Sequence, residues 1–413
     1  MECDACSVDA RDVAGGARTA TTGSKCSASI SWLGTDSALA RPPYTRPMLL
    51  FFLTFGISAL ATLLIVRSSH SHARFSADHD FGGPQKFHVR AVPRVGGVGI
   101  AVGLLAGVVA LAAVRDPAEQ SFAALLLLCG MPAFGSGLFE DVSKRVEPRY
   151  RLVATAFSAL LAVFALGATV PRTDLWGFDW IASFTVGAAL LAILATTGIA
   201  NAVNIIDGFN GLASMCVVMM LGAIAYVANQ VGDDTVATLA LMGVGAVLGF
   251  FFWNFPGGLI FLGDGGAYFL GFYVAELGIL LLARNPGVSP ICPLLICIYP
   301  VFETLFTMYR RKVLRGRAIG RADGVHLHSL IYRRILRWAV GTHDAKMLTR
   351  RNSMTAPYLW LLCGLGIAPA VLWWHDSHIL LVFVVLFGLS YLVLYGSVLR
   401  FKSPRWMVFR GRR

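Results

Sequence analysis

Apolar and polar residues separate into blocks along this chain. From Met48 onward, uncharged runs of about 18–21 residues follow one another, parted by short stretches that collect the charge, proline and glycine. A helix of that length crosses a hydrocarbon core of ~30 Å. Eleven blocks can be drawn, at about 48–66, 95–114, 120–139, 152–170, 180–199, 211–229, 235–254, 266–283, 289–309, 356–374 and 378–398. Several are bounded by Pro or Gly, as helix ends often are. The pattern predicts an all-α fold, a polytopic α-helical integral membrane protein with about 11 transmembrane helices.

Residues 1–47 depart from this pattern. They are rich in Ala, Ser, Thr and Gly, lack apolar periodicity, and read as a disordered leader. No apolar core of a secretory signal precedes residue 48, and Met48 itself offers an alternative start. The domain expected is 48–398, followed by a basic tail over 399–413. There is no internal repeat.

Composition agrees with this class: 56% of residues are apolar and only 14% charged, against about 25% charged in a soluble domain. Charge then sets the orientation. Of the 35 Lys and Arg residues, 27 fall in the connections 67–94, 140–151, 310–355 and the tail 400–413. The other set of connections holds only Arg115, Arg172 and Arg284, the remaining five lying in the leader. Basic residues stay on the cytoplasmic side, so the first span runs inward and the tail is cytoplasmic, in the plasma (inner) membrane. The net charge of +12 is thereby explained by topology and anionic lipid headgroups, and no nucleic-acid partner is required. The eight cysteines are scattered, Cys3 and Cys6 forming a lone CxxC without a second pair.

With the orientation set, the unusual polar residues fall on the cytoplasmic side. Glu140-Asp141 ends the third span, with Lys144 and Arg145 just beyond. Adjacent carboxylates repel, so one is driven to protonate unless a cation or metal sits close; the alternative is a solvated loop with compensating charge. The stretch Asn201 to Leu212 (NAVNIIDGFNGL) has no Lys or Arg, leaving Asp207 without a local partner, beside Asn201, Asn204 and Asn210. Such amides and glycines suit hydroxyls, a base edge or a cation shell, or else make an ordinary Asx/Gly turn. The stretch Asn254 to Gly266 brings glycines and Asp264 to a helix start, which favours phosphate and a bridging Mg²⁺, or makes Asp264 a plain N-cap.

The connection 310–355 carries an arginine cluster suited to phosphate, together with Asp323, His326 and His328. A basic stop-transfer loop accounts for the arginines but not for the histidines. Lys86, His88, Arg90 and Arg94 add basic groups before the second span, and Glu303 lies inside the ninth, either functional or paired with Arg310. This inventory suits Mg²⁺-dependent transfer involving diphosphates. The rival is a transporter or flippase, which would place its polar groups near the bilayer midplane on interrupted helices.

Together these motifs resemble the polyprenyl-phosphate N-acetylhexosamine-1-phosphate transferases, over roughly residues 48–340. They are NxxNxxDGxNGL (Asn201 to Leu212), FxGDxG (Phe261 to Gly266), the acidic pair with Lys144 beyond it, and DxxHxH (Asp323 to His328), in the family's order. The resemblance implies attack of a lipid phosphate, undecaprenyl phosphate, on the β-phosphorus of a UDP-sugar, with UMP leaving. It implies Asp264 on Mg²⁺ (or Mn²⁺) with Asp207 as a second ligand, and catalytic carboxylates at Glu140, Asp141, Asp207 and Asp264. Asn204, Asp207 and Asn254 would line the nucleoside pocket, with Phe261 stacking on uracil, and Asn201 and Asn210 would also bind substrate. Glu140 or Asp141 would bind or deprotonate the lipid phosphate. Lys86, His88, Lys144, Arg321, His326 and His328 would hold phosphate charge. Glu140 replaces the usual Asp of the acidic pair, and Ser329 and Gly324 replace a frequent His and Arg. The latter two positions lie where donor-sugar contacts are expected. The expected donor is a simple UDP-N-acetylhexosamine (GlcNAc, QuiNAc or FucNAc), the pathway O-antigen or another envelope polysaccharide, and a homodimer is left open.

Overall fold

A computed structural model describes residues 45–69, 92–314, 316, 324–336 and 345–400. Residues 1–44 of the expected leader, the candidate residues Lys86, His88 and Arg321 with Asp323, and the tail from 401 lie outside it.

The chain forms α1 (Thr45–Arg67), α2 (Gly96–Leu111), α3 (Pro117–Ser143), α4 (Pro148–Leu166), the short α5 (Phe178–Ala182), α6 (Thr185–Ile206) and α7 (Leu212–Gln230). Next come α8 (Asp234–Asn254), α9 (Gly263–Arg284), α10 (Ile291–Ile296), α11 (Ile298–Tyr309), α12 (Leu327–Leu330), α13 (Ala345–Leu372) and α14 (Ser377–Leu399). Wide π-helical turns extend α11 over Arg310–Leu314 and α12 over Ile331–Ile335. All eleven expected blocks are helical, and among the described residues nine helices are long and apolar enough to cross a membrane. Of the other two, α2 has only 16 residues. The ninth block is split at Cys297 into α10 and α11. Pro300 explains the split: it lacks an N–H and its ring clashes with the carbonyl four residues back, at Ile296, where α10 ends. α13 begins at Ala345, so residues 345–355, expected within a loop, are helical.

Nearly every residue of α9 is buried, because α3, α6, α2, α7 and α4 pack around it. α1 lies against α8 and α2, its Thr54, Ser58 and Thr62 meeting glycines such as Gly249 of α8 and Gly103 of α2. Small residues let backbones approach where lipid supplies no hydrophobic drive, and Ser58 Oγ donates to the Ala246 carbonyl at 2.6 Å. Large apolar residues such as Phe164, Leu190, Leu194 and Val393 point outward, the surface a multi-pass membrane protein offers to lipid.

The two ends of the bundle differ. At one end, the three basic residues that the charge bias left over are each engaged. Arg115 pairs with Glu119 at 3.5 Å and Asp234 at 3.8 Å. Arg284 meets Asp233 at 2.8 Å, and Arg172 donates to the carbonyls of Pro286 and Val288. Trp176, Phe178 and Trp180 are exposed there, an aromatic group at the level where spans end. The other end gathers the candidate residues.

Candidate active site

The site is built on the start of α9. Gly263 has φ +79°, a conformation open to glycine at little cost, and turns the chain into the helix. Gly137 of α3 packs directly on this turn, where an added Cβ would come within 2.6 Å of the Asp264 carbonyl carbon. That approach brings Asp141, one turn further along α3, to the helix terminus. Its oxygens accept the backbone N–H groups of Asp264 and Gly265, each at 2.9 Å. A carboxylate is favoured there by the positive end of the helix dipole. The two amides that the glycines leave open to a phosphate are thus taken by Asp141.

Asp264 points its side chain away from this cap to two guanidiniums, Arg94 at 3.4 Å and Arg151. Arg94 also lies 3.9 Å from Asp141. Arg151 stands in the first turn of α4, where the helix dipole opposes a cation. It is buried, held by Asp264 and by the Tyr268 ring, 5.6 Å from its guanidinium carbon. Tyr268 in turn donates to Asn201 Oδ1 at 3.4 Å and meets Asn204. Asp207 follows the end of α6. Burial pushes its carboxyl up to about 7, and the nearby positive charge of Arg94 opposes the rise. Arg94 is therefore shared electrostatically among Asp141, Asp207 and Asp264.

The remaining candidates divide. Glu140 accepts the Val146 N–H at 2.6 Å and so closes the turn after α3; Lys144, exposed, forms the left-handed C-cap of that helix. Asn254 spends both side-chain atoms on neighbouring loops, accepting from Gly211 N–H and donating to the Ile260 carbonyl, both at 2.7 Å. Asn210 Nδ2 donates to Pro256 O at 3.3 Å and Ser353 Oγ at 3.2 Å. Phe261 lies on the strand-like contact with the start of α2, its N–H donating to Pro93 O at 2.8 Å and its carbonyl accepting from Gly96 at 3.0 Å.

His326 and His328 stack at 5.0 Å. His328 stands edge-on to Phe209 at 5.4 Å, over Gly208, which joins the histidine segment to the Asp207 loop. Glu303 anchors it: Oε1 meets His326 Nδ1 at 3.1 Å and the Leu327 N–H at 3.2 Å, and Oε2 accepts from Tyr391 at 2.6 Å. This carboxylate, expected to be functional or paired with Arg310, is held by His326.

Sequence reasoning missed several contributors. Arg151 was counted only as loop charge, though a cation in the first helical turn is a signal that a partner is needed. Tyr268 and Tyr391 sit in apolar runs and gave none. Glu276, inside α9 and bonded to Thr196 at 2.9 Å, is a second carboxyl within a span. Among the described residues, no three or more His, Cys, Asp or Glu side chains cluster as a metal cage. Cys129, Cys216, Cys292, Cys297 and Cys363 are free and buried.

A helical bundle whose polar residues converge at one end, around a capped and cation-lined helix start, is the arrangement of a multi-pass membrane protein with a polar cleft at one end. Residues 123–282 match the model of glycosyl transferase family 4. The chain is 29% identical over 285 residues to a probable undecaprenyl-phosphate N-acetylglucosaminyl 1-phosphate transferase of Bacillus subtilis, covering 68% of this chain and 77% of that one. It is 28% identical to an undecaprenyl-phosphate α-N-acetylglucosaminyl 1-phosphate transferase of Thermotoga maritima (62% and 72% covered). It is 31% identical to a phospho-N-acetylmuramoyl-pentapeptide-transferase of Rubrobacter xylanophilus (62% and 84%). The chain belongs to glycosyl transferase family 4, as the motifs led us to expect.

Proposed function

We propose that this protein transfers an N-acetylhexosamine-1-phosphate from a UDP-sugar to undecaprenyl phosphate at the cytoplasmic face of the plasma membrane, releasing UMP. One observation carries the reading: Asp264 at the start of α9 is flanked by Arg94 and Arg151, with Asp141 and Asp207 beside them. Two guanidiniums at a helix N-terminus suit the oxygens of a diphosphate. An oxygen of the lipid phosphate attacks the β-phosphorus of the donor, and the bond to the UMP oxygen breaks. One phosphoanhydride forms as another is lost, so the reaction is close to balanced.

The donor set fits Mg²⁺ or Mn²⁺. Mg²⁺ is usually held by one or two carboxylates plus substrate phosphates and water, not by an all-protein cage. Asp264 and Asp207 would supply two hard oxygen ligands of that kind once the diphosphate draws Arg94 and Arg151 off the Asp264 carboxylate, whose two oxygens they occupy in the free protein, and the bound ion would neutralise charge on the diphosphate. Arg94 and Arg151 orient the diphosphate. Asn201 and Asn204, on the Tyr268 side, face the nucleoside, with Phe261 against its base. Glu140 or Asp141 assists the acceptor phosphate. His326, fixed by Glu303, and His328 hold phosphate charge alongside Lys86, His88, Lys144 and Arg321.

The names of the relatives support a sugar-1-phosphate transfer. The departures at Gly324 and Ser329 favour a simple N-acetylhexosamine donor over a peptide-bearing one, and a role in starting O-antigen or a related envelope polysaccharide. The test is an incubation of membranes with tritiated UDP-GlcNAc and related UDP-sugars, undecaprenyl phosphate and Mg²⁺. A chloroform-soluble sugar diphosphate, with UMP released, is expected. If no donor gives product while the Thermotoga relative does in parallel, the reading fails.

A further inference from the structure

The start of α13, expected as basic loop, carries three consecutive buried residues, Arg351, Asn352 and Ser353, that reach the 207–211 loop, the 254–260 loop and the end of the histidine segment. Asn352 Oδ1 accepts the backbone N–H of Asn210 at 2.8 Å. Ser353 Oγ accepts from Asn210 Nδ2 at 3.2 Å and donates to the Pro256 carbonyl. Two turns on, Trp360 Nε1 donates to the Gly211 carbonyl at 3.1 Å. Arg351 Nε donates to the Tyr332 carbonyl at 2.8 Å, with its guanidinium carbon 4.1 Å from the Tyr332 ring centroid. Tyr332 packs on Phe209 at 5.4 Å, and Phe209 on His328.

The loop at 207–211, the loop at 254–260 and the histidine segment come from different parts of the chain. α13 is where all three are bonded to one rigid element. Connecting loops otherwise carry the mobility of a fold, and a donor pocket assembled from three of them needs something to hold their spacing.

We propose that Asn352 and Ser353 are positioning residues for the donor, clamping the Asp207 and Asn254 loops at the spacing the UDP moiety requires, with Arg351 setting the histidine segment against them. The proposal rests on the transferase reading for its consequence, while the clamp itself is a property of the free protein. Removing the acceptor of Asn352 frees the Asn210 amide and leaves Asp207, Asp264, Arg94 and Arg151 unchanged in chemistry. The loss should therefore fall on donor affinity rather than on the chemical step.

The experiment uses the full chain in detergent or nanodiscs with Asn352→Leu and Ser353→Ala. The control is Thr355→Ala, whose buried hydroxyl donates to Arg351 O within its own helix, at 3.1 Å. Amide exchange is expected to rise at least fivefold in peptides covering 205–212 and 253–261 in both clamp variants, and to stay at the wild-type rate in the control. Donor KM is expected to rise about tenfold with kcat within twofold of wild type. If Asn352→Leu does not insert, Ser353→Ala carries both measurements, since a Ser-to-Ala change leaves helix packing intact.

Unchanged exchange in both loops, or the same rise in Thr355→Ala, overturns the clamp. Raised exchange with an unmoved KM, or with kcat falling alone, overturns its role toward the donor. Failure of the wild-type chain to use any UDP-sugar would sink the transferase reading, and the exchange data would still decide the clamp.

Discussion

Asp141 serves in two readings at once: a carboxyl beside the acceptor phosphate, and the cap of the helix on which the site stands. The structure makes the second quantitative. Its two oxygens take two backbone amides at 2.9 Å, and the residue is 1% exposed. A buried amide left without a partner costs about 1–3 kcal/mol. Asp141→Ala strands two of them, so about 2–6 kcal/mol is lost. Asp141→Asn keeps one oxygen and turns an NH₂ toward the other amide, losing roughly half of that. At roughly 2.1 cal/mol/K of unfolding entropy per residue, a chain of 413 residues loses about 1 °C per kcal/mol, so Tm falls by roughly 1–4 °C for the Asn variant and about twice that for Ala. Thermal unfolding in detergent, followed by tryptophan emission, reads it directly, with transferase activity measured on the same samples. If Asp141 acted in chemistry alone, the Asn variant would lose turnover and melt with the wild type. That outcome would refute the capping argument.

The other predictions concern neighbouring parts of the bundle. Asp264→Asn should lower Mg²⁺-dependent turnover by roughly 10²–10³-fold. It should also cost stability, because Arg94 and Arg151 lose a charged partner; activity within twofold of wild type would exclude the metal role. Arg151→Gln should raise the donor KM about tenfold or more and slow turnover, read in the same assay, whereas Arg149→Gln, at an exposed pair with Glu147, should change neither. Asp233 caps α8 and pairs with Arg284 and Asn285, bonds that hold its carboxyl below the ordinary value even though burial opposes them. Its stabilisation is therefore complete above the ordinary carboxylate pKa of about 4 and is lost as pH falls through the lower folded value. Melting curves from pH 7 down to about 3 should show wild type losing more Tm than Asp233→Asn over that acid window; parallel curves would contradict the assignment.

The sequence by itself determined the class of this protein and the end of the bundle where its candidate site gathers. Apolar blocks of membrane-crossing length leave helices as the way to satisfy the backbone in lipid, so all eleven blocks could be placed without a structure. The charge bias put the acidic, amide and histidine motifs on one side, and at that end of the bundle Asp141, Asp207, Asp264 and His326 are found. Local patterns carried this because a membrane span is a local property of about 20 residues.

Partnership is not local. That Asp264 answers to Arg94 and Arg151, 170 and 113 positions away, depends on α2, α3 and α4 packing around α9, the first two through close glycine contacts. No feature of the Asp264 motif names those partners. For the same reason the bonds that Asn254 and Asn210, read as substrate ligands, make between loops could not be seen in the sequence. Glu303, read as functional or paired with Arg310, holds His326. A segment counted as loop charge proves to be the start of α13, bonded to those loops. Residue type and spacing show which groups are costly to leave unpaired in a membrane; only the packing decides what pairs with them.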